Sequence, residues 1–227
     1  MKPGNGFGIV VLPCGAEKTV VGVTIMSLLN SSTLILTTNV AAVHQWMDEL
    51  LDKTEIPEGA LGEYTGDKKE INPITIATYQ ILTWRPNRDS QFQHFELFSK
   101  RHWGLVIYDE VHLLPAPVFR ATAEIQAVRR LGLTATLVRE DGKEKDVFSL
   151  VGPKRFDVPW RELETQGWIA EAHCFEIRIE LPEKLKIPYA VAEKRKKYRI
   201  ASENPLKDLI LKEILKNHRD DSILIIG

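Results

Sequence analysis

The chain has 227 residues, which is enough to bury a full hydrophobic core with some remainder. Hydrophobic residues make up 44% and charged residues 27%, the balance of a globular rather than a disordered protein. The formal net charge of −1 excludes nucleic-acid binding through overall basicity, so any such contact must come from local patches. The apolar runs are too short to span a bilayer, and the two distant cysteines predict no disulfide framework. We therefore expect no membrane contact and a reducing compartment, either the cytoplasm with its nucleoid or the nucleus.

Apolar strand-like runs alternate with amphipathic segments in the first two thirds of the chain. Ile9 to Leu12 predicts a buried strand, and Val20 to Leu29 predicts the helix after it. Asn39 is a suitable N-cap for a second helix. The apolar residues that share one face of this helix are Val43, Trp46, Met47, Leu50 and Leu51. Further strands are predicted at 33–37, 74–78, 105–108 and 131–134, and further helices at 92–98 and after 115–117. This alternation is typical of an α/β fold with a mostly parallel sheet.

The pattern changes after about Pro153. A short helix closed by Gly167 is predicted, then an exposed strand at 173–181 and a basic segment at 184–199. Lys194 to Lys197 in this segment are either a solvated helix face or a contact with DNA or a partner. Asn204 and Pro205 predict the start of another helix. Residues 222–227 predict a strand, which we interpret as the first of a second α/β domain.

The segment after the first strand predicts a phosphate-binding loop. Its sequence is Pro13-Cys14-Gly15-Ala16-Glu17-Lys18-Thr19. In loops of this kind the lysine contacts the β and γ phosphates and the hydroxyl residue holds Mg²⁺. Glu17 stands where the usual pattern has a glycine. An ordinary strand–turn–helix with a surface lysine is the structural alternative.

Two adjacent carboxylates, Asp109 and Glu110, follow the apolar run at 105–108. Because side chains alternate along an extended chain, one carboxylate can hold a metal ion while the other handles a water molecule. The hydroxyls of Thr134-Ala135-Thr136 follow the next strand and can link a bound phosphate to another surface. Together with the phosphate loop, these residues predict a nucleoside-triphosphatase site.

A longer set of motifs carries a family resemblance. It comprises the phosphate loop, Asp109-Glu110-Val111-His112, and the run from Gly132 to Asp141, in which Arg139-Glu140-Asp141 directly follows Thr-Ala-Thr-Leu-Val. These motifs resemble the XPB-type DNA helicases of superfamily 2, and the resemblance covers essentially the whole chain. It implies a RecA-like P-loop helicase lobe at 1–155, a linker with a small thumb-like element at 156–202, and the start of a second lobe at 203–227.

The resemblance also implies an activity and its partners. The activity is ATP-dependent helicase or translocase movement on DNA, 3′ to 5′, in repair or transcription, with ATP and Mg²⁺ as cofactors. DNA is the implied partner, together with a nuclease or other repair and transcription proteins.

The matched positions imply individual roles. Lys18 contacts the phosphates, Thr19 and Asp109 hold Mg²⁺, and Glu110 orients and deprotonates the attacking water. The residues implied to couple nucleotide state to DNA are His112, Thr134, Ala135 and Thr136. The implied DNA contacts are Thr38, Asn39, Thr78 and Tyr79, with Arg139, Glu140 and Asp141 on a DNA-facing loop.

Two alternatives remain open from the sequence. A catalytically dead DNA-binding or scaffold module is one, because Glu17 departs from the family's glycine. A translocase subunit of a restriction system is the other, because such proteins share the Asp-Glu motif. Arg139-Glu140-Asp141 argues against this second alternative.

Overall fold

The computed structural model describes residues 6–13, 15–87, 89–114, 129–135, 144–167, 170–171 and 173–226. The chain divides into two compact units, Met1–Glu171 and Ala172–Gly227.

The first unit is built on one parallel sheet. In the described residues its strands are β1 Phe7–Val11, β2 Thr33–Thr37, β3 Leu61–Tyr64, β4 Ile74–Thr78, β5 Leu105–Asp109, β6 Arg130–Thr134 and β7 Lys154–Asp157. They lie in the order β3-β4-β2-β5-β6-β1-β7, and every neighbouring pair is parallel. Because β1, β5 and β6 are parallel and adjacent, the segments that follow them meet at one edge of the sheet.

The described helices of this unit are α1 Lys18–Leu29, α2 Val40–Lys53, α3 Tyr79–Thr83, α4 Glu144–Val151 and α5 Trp160–Thr165. Short 3₁₀ helices lie at Glu58–Ala60, Gln93–Phe98 and Val111–Leu113. The predicted α/β class is confirmed.

Both faces of the central strands are buried, which explains why these strands are continuous apolar runs. Along β2, Leu34 and Leu36 belong to one hydrophobic cluster, whereas Ile35 belongs to the cluster on the opposite face. The α2 helix packs on the Ile35 side through Val43, Trp46 and Leu50. Leu51, predicted on the same face of α2, is instead 40% exposed, because it lies about 100° around the helix from Leu50.

Several boundaries differ from the predictions. The run at 92–98 forms a 3₁₀ helix, Gln93–Phe98, in place of the predicted helix, and the helix predicted after 115–117 lies outside the described residues. Strands β3 and β7 and helix α4 were missed. β3 contains a glycine and a glutamate, and β7 is an edge strand whose four residues are all exposed, so neither has the apolar pattern of a core strand.

The second unit contains helices α6 Glu183–Val191, α7 Lys194–Ser202 and α8 Leu206–Asn217. The side chain of Asn204 accepts a hydrogen bond from the Leu206 N–H at 3.1 Å and donates one to the Glu180 carbonyl at 3.0 Å. The strands predicted at 173–181 and 222–227 are wrong, because none of the described residues in these stretches is in a strand. Apolar alternation gives a stable strand only where a neighbour completes the hydrogen-bond ladder.

In the part of the chain that the structure describes, no helix has the length and apolar character needed to cross a membrane.

Candidate nucleotide site

The phosphate loop leads from the carboxyl end of β1 into the amino end of α1. The Leu12 N–H donates to the Thr134 carbonyl at 2.9 Å, so the loop starts beside β6. Gly15 has φ 83°, and Glu17 has φ 48° and ψ 50° as the residue that precedes α1. Lys18 and Thr19 therefore occupy the first turn of α1, where free backbone N–H groups and the helix dipole favour an anion. Cys14 lies outside the described residues.

The Asp-Glu pair lies opposite this loop at the end of β5. Asp109 is the last residue of the strand, and Glu110 turns the chain with φ 47°. The Lys18 Nζ atom lies 3.6 Å from Glu110 Oε1, and both side chains are partly buried. The sheet thus brings together the lysine and the glutamate that the sequence separates widely.

Asp109 is held by three hydrogen bonds. Its Oδ2 atom accepts one from Trp46 Nε1–H at 3.0 Å, and its Oδ1 atom accepts one from the Glu110 N–H at 3.1 Å. The Tyr79 hydroxyl donates to its carbonyl oxygen at 2.9 Å. Burial raises the pKa of Asp109 above its usual value, and the Glu110 charge adds to this, whereas the Trp46 hydrogen bond and the Lys18 charge oppose it. Burial likewise raises the pKa of Tyr79, so this phenol stays protonated and remains a donor.

His112 links the carboxylates to the end of β6. Its Nδ1 atom lies 2.8 Å from Thr134 Oγ1 and 3.4 Å from Glu110 Oε2. Thr134 is fully buried and Ala135 is partly buried, whereas Thr136 lies outside the described residues. The structure therefore joins two of the motifs that the sequence predicts to act together.

The predicted DNA contacts fall into accessible and buried residues. Asn39 is exposed, and its side chain caps α2 by accepting the Ala42 N–H at 2.9 Å. Thr38 is partly exposed, and the Gln80 amide donates to its carbonyl oxygen.

Thr78 and Tyr79 are buried instead, with Thr78 capping α3 through the Ile81 N–H at 3.3 Å. The Tyr79 phenol is committed to Asp109, so a direct contact of this side chain with DNA is incompatible with its position. Arg139, Glu140 and Asp141 lie outside the described residues.

Thr19 and Asp109 provide hydroxyl and carboxylate oxygens, the donors that Mg²⁺ prefers. Among the described residues, no group of three or more His, Cys, Asp or Glu side chains is placed to hold a metal ion. Magnesium in phosphoryl-transfer sites is held by one or two carboxylates together with phosphates and water, so this sparse donor set fits it.

The sequence predicts Trp46 on the core-facing side of α2 and Tyr79 at DNA, and it does not predict that both hold Asp109. A signal was available, because a buried indole N–H or phenol needs a hydrogen-bond partner. The identity of that partner depends on tertiary contacts 63 and 30 residues away along the chain.

Residues 1–139 match the protein family described as "Type III restriction enzyme, res subunit". The chain belongs to this family. Two named relatives match nearly the whole chain. It is 54% identical over 223 residues to "DNA 3'-5' helicase XPB" of Mycobacterium tuberculosis, and these residues cover 98% of the chain and 40% of that protein. It is 35% identical over 233 residues to "General transcription and DNA repair factor IIH helicase/translocase subunit XPB" of Encephalitozoon cuniculi, with 98% and 35% covered. The resemblance to XPB-type helicases is thus confirmed, although the chain spans only about two fifths of the length of the bacterial relative.

Solved structures agree with the fold. The Pyrococcus furiosus Hef helicase domain superposes with a TM-score of 0.62 at 18% identity, over 95% of this chain and 52% of that one. The UvsW helicase from bacteriophage T4 gives a TM-score of 0.55 at 19% identity, over 67% of this chain and 55% of that one. At these identities the likeness concerns the fold alone.

Proposed function

We propose that this chain is the ATP-binding lobe of an XPB-type DNA helicase or translocase, in which Mg-ATP hydrolysis drives 3′ to 5′ movement on DNA. The observation that carries the proposal is the 3.6 Å approach of Lys18 Nζ to Glu110 Oε1 at the carboxyl edge of the parallel sheet. The names of the XPB relatives support the substrate and the direction. In this proposal residues 1–155 form the lobe, 156–202 the linker and thumb-like element, and 203–227 the start of a second lobe.

Each residue of the cluster has a chemical task suited to its place. Lys18 exchanges its contact with Glu110 for the β and γ phosphates when the nucleotide enters. Thr19 and Asp109 hold Mg²⁺, which supplies charge neutralisation for the phosphates. Glu110, freed from the lysine, orients the attacking water and accepts its proton.

Communication with DNA follows the contacts from the carboxylates to β6. His112 contacts both Glu110 and Thr134, so a change at the γ-phosphate reaches the segment from Thr134 through Ala135 to Thr136. The proposed DNA contacts are Thr38, Asn39, the backbone at Thr78 and Tyr79, and the loop of Arg139, Glu140 and Asp141. Relatives named as subunits of a transcription and repair factor support repair and transcription proteins as further partners.

Nucleotide binding is the direct test. Calorimetry with Mg-ATP on the Glu17→Gly chain should detect binding, and the further change Lys18→Ala should remove it. Glu58→Gln, an exposed substitution outside the cluster, is the matched control and should leave binding unchanged. A Glu17→Gly chain that does not bind Mg-ATP would contradict the proposal.

Hydrolysis should be tested in a protein of the relatives' full length. By resemblance, arginines of a second lobe stabilise the charge on the γ-phosphate, so turnover by this chain alone should be negligible. In the longer protein, Glu110→Gln should lower DNA-stimulated hydrolysis by roughly 100-fold or more while ATP still binds. Equal rates for the single lobe and the longer protein would contradict the two-lobe mechanism.

A second candidate is a DNA-binding module that no longer hydrolyses ATP. The backbone of Glu17 favours it, because φ 48° places a charged residue where a glycine suits the loop. If the unchanged chain binds DNA but binds Mg-ATP only after Glu17→Gly, this second candidate describes the protein as it stands.

A further inference from the structure

Trp46 is the buried side chain that reaches the candidate metal site from α2. It is 2% exposed, and its Nε1–H donates to Asp109 Oδ2 at 3.0 Å. A buried indole gains stability from packing wherever its ring fits, but its N–H requires an acceptor at one particular place. Here that acceptor is the carboxylate proposed to hold Mg²⁺.

A glycine in α1 makes room for this indole. A Cβ atom on Gly22 would lie 2.6 Å from Trp46 Cη2, which is closer than real contacts allow, and 3.2 Å from Cζ3, which is tighter than most. Gly22 is one turn beyond Lys18 and Thr19 on the same helix. The ring is therefore held between the helix that begins at the phosphate loop and the carboxylate across from it.

The two hydrogen bonds to the Asp109 side chain fix the rotation of its carboxylate. Trp46 occupies one lone pair of Oδ2, and the Glu110 N–H occupies one of Oδ1. Each carboxylate oxygen has a second lone pair, so metal-binding capacity remains, but in a direction that these two donors set. Partners of this kind orient metal-binding carboxylates and tune their affinity.

We propose that Trp46 is a positioning residue for Asp109, and that the absence of a side chain at Gly22 makes the room that the Trp46 ring needs to reach Asp109. The proposal rests on the proposed function, since it assigns Asp109 to Mg²⁺. It adds a residue that contacts neither nucleotide nor metal, and it predicts that the metal-dependent part of nucleotide binding requires the indole N–H.

Three substitutions test this role. Trp46→Phe keeps an aromatic ring above Gly22 but removes the N–H donor, and Gly22→Ala keeps the donor but displaces the ring. Trp103→Phe is the matched control, because Trp103 is equally buried and its Nε1–H donates to the Leu97 carbonyl at 3.1 Å. All three should be made in the unchanged chain and in the Glu17→Gly chain.

The first measurement is the ratio of ATP affinity in Mg²⁺ to ATP affinity in EDTA, by calorimetry. Trp46→Phe and Gly22→Ala should each lower this ratio by about 10-fold, mainly through weaker binding in Mg²⁺. Trp103→Phe should leave the ratio unchanged, although it removes a buried hydrogen bond as well. A loss of fold alone would weaken binding equally in both conditions.

The second measurement reports the position of the metal ion rather than the affinity for nucleotide. In the presence of ATP, Mn²⁺ should broaden the indole N–H resonance of Trp46 in NMR spectra before that of Trp103. An unchanged affinity ratio in Trp46→Phe, or broadening of Trp103 first, would overturn the positioning role. Absence of Mg-ATP binding in both parent chains would instead overturn the proposed function, and the positioning role with it.

Discussion

Glu17 brings a left-handed backbone and a negative charge to the loop that receives phosphate. Its φ of 48° already exists in the free protein, so the conformational cost of about 1–2 kcal/mol affects stability more than affinity. The charge acts differently, because it opposes the phosphates only when they bind. Since Glu17 is exposed, water and salt screen this repulsion.

We therefore predict two separable effects of Glu17→Gly. Urea unfolding should show a stability gain of about 1 kcal/mol, since glycine tolerates this backbone but also loosens the unfolded chain. Calorimetry should show Mg-ATP binding that is tighter by roughly 10-fold or more, from the removal of a partly screened charge near phosphate. Glu17→Gln is the control that removes the charge and keeps the backbone, so it should improve affinity but not stability. Equal Mg-ATP affinity in Glu17→Gly and the unchanged chain would contradict the electrostatic effect.

Glu63 on β3 is a buried carboxylate with three partners. It accepts a hydrogen bond from Thr65 Oγ1 at 2.9 Å, and its Oε2 atom lies 3.3 Å from both Lys68 Nζ and His44 Nε2. Burial alone would raise its pKa, but the hydrogen bonds from Thr65 and Lys68 and the charges of Lys68 and His44 together lower the pKa of Glu63 below the ordinary 4.5.

This lowered pKa predicts a pH-dependent contribution to stability. A carboxylate whose pKa is lower in the folded state stabilises the protein above its unfolded pKa, and the contribution disappears as pH falls through the folded value. In urea unfolding, the difference between the unchanged chain and Glu63→Gln should be largest above about pH 5 and should shrink at lower pH. The exposed Glu58→Gln is the control for the loss of a surface charge, and a Glu63→Gln difference that is constant with pH would refute this assignment.

The sequence predicts correctly those strands and helices whose own residues carry the signal for their structure. Four strands, β2, β4, β5 and β6, are apolar because they are buried on both faces of the sheet. The start of α2 is predicted because Asn39 is a suitable N-cap. β3 carries the buried Glu63, whose burial is tolerable because it is paired with Thr65 and Lys68 from the turn after β3 and with His44 of α2. The strands predicted at 173–181 and 222–227 are wrong because an apolar pattern in one segment does not supply the neighbouring strand that a sheet requires.

The α2 helix offers a test of packing with adjacent residues. Leu50 is fully buried against the sheet, whereas Leu51 is 40% exposed. Leu50→Ala should lower the free energy of unfolding by about 2–5 kcal/mol through weaker packing and a cavity. Leu51→Ala should change it by about 1 kcal/mol or less, and since alanine suits both helix positions, helix propensity does not confuse the comparison. Similar destabilisation in the two variants, measured by urea unfolding, would contradict the observed orientation of α2, in which Leu50 faces the sheet and Leu51 does not.

For the whole molecule, DNA binding must come from local charge, because the formal net charge is −1. The first turn of α7 contains Lys194 to Lys197, and cations at a helix N-terminus are unfavourable by about 0.3–1 kcal/mol each. Lys197 is partly engaged with the Tyr189 ring at 5.6 Å, whereas Lys194, Arg195 and Lys196 are exposed. These exposed cations lower the stability of α7, so their presence at its first turn is consistent with a role in binding DNA.

Reversing Lys194, Arg195 and Lys196 to Glu should therefore weaken DNA binding without unfolding α7, because acidic residues suit that turn. The slope of log affinity against log salt should become shallower by about 0.9 for each duplex phosphate that the protein no longer neutralises. The same reversal at Lys207, Lys212 and Lys216 on α8 gives an equal change in net charge and should have a smaller effect. Equal weakening by the two triple variants, measured by fluorescence anisotropy at several salt concentrations, would rule out a specific role for α7.

The place of β1 between β6 and β7 has a consequence for the synthesis of the protein. β1 is synthesised before the other strands of this sheet, yet its partners begin at Arg130 and Lys154. At about 5–20 residues per second, Val11 waits roughly 6–25 s before Thr134 has been added. Through that interval the apolar β1 segment lacks its native neighbours, and the phosphate loop attached to it lacks its support. Under the proposed function, ATP binding by a nascent chain would therefore indicate that β1 has paired with its neighbouring strands.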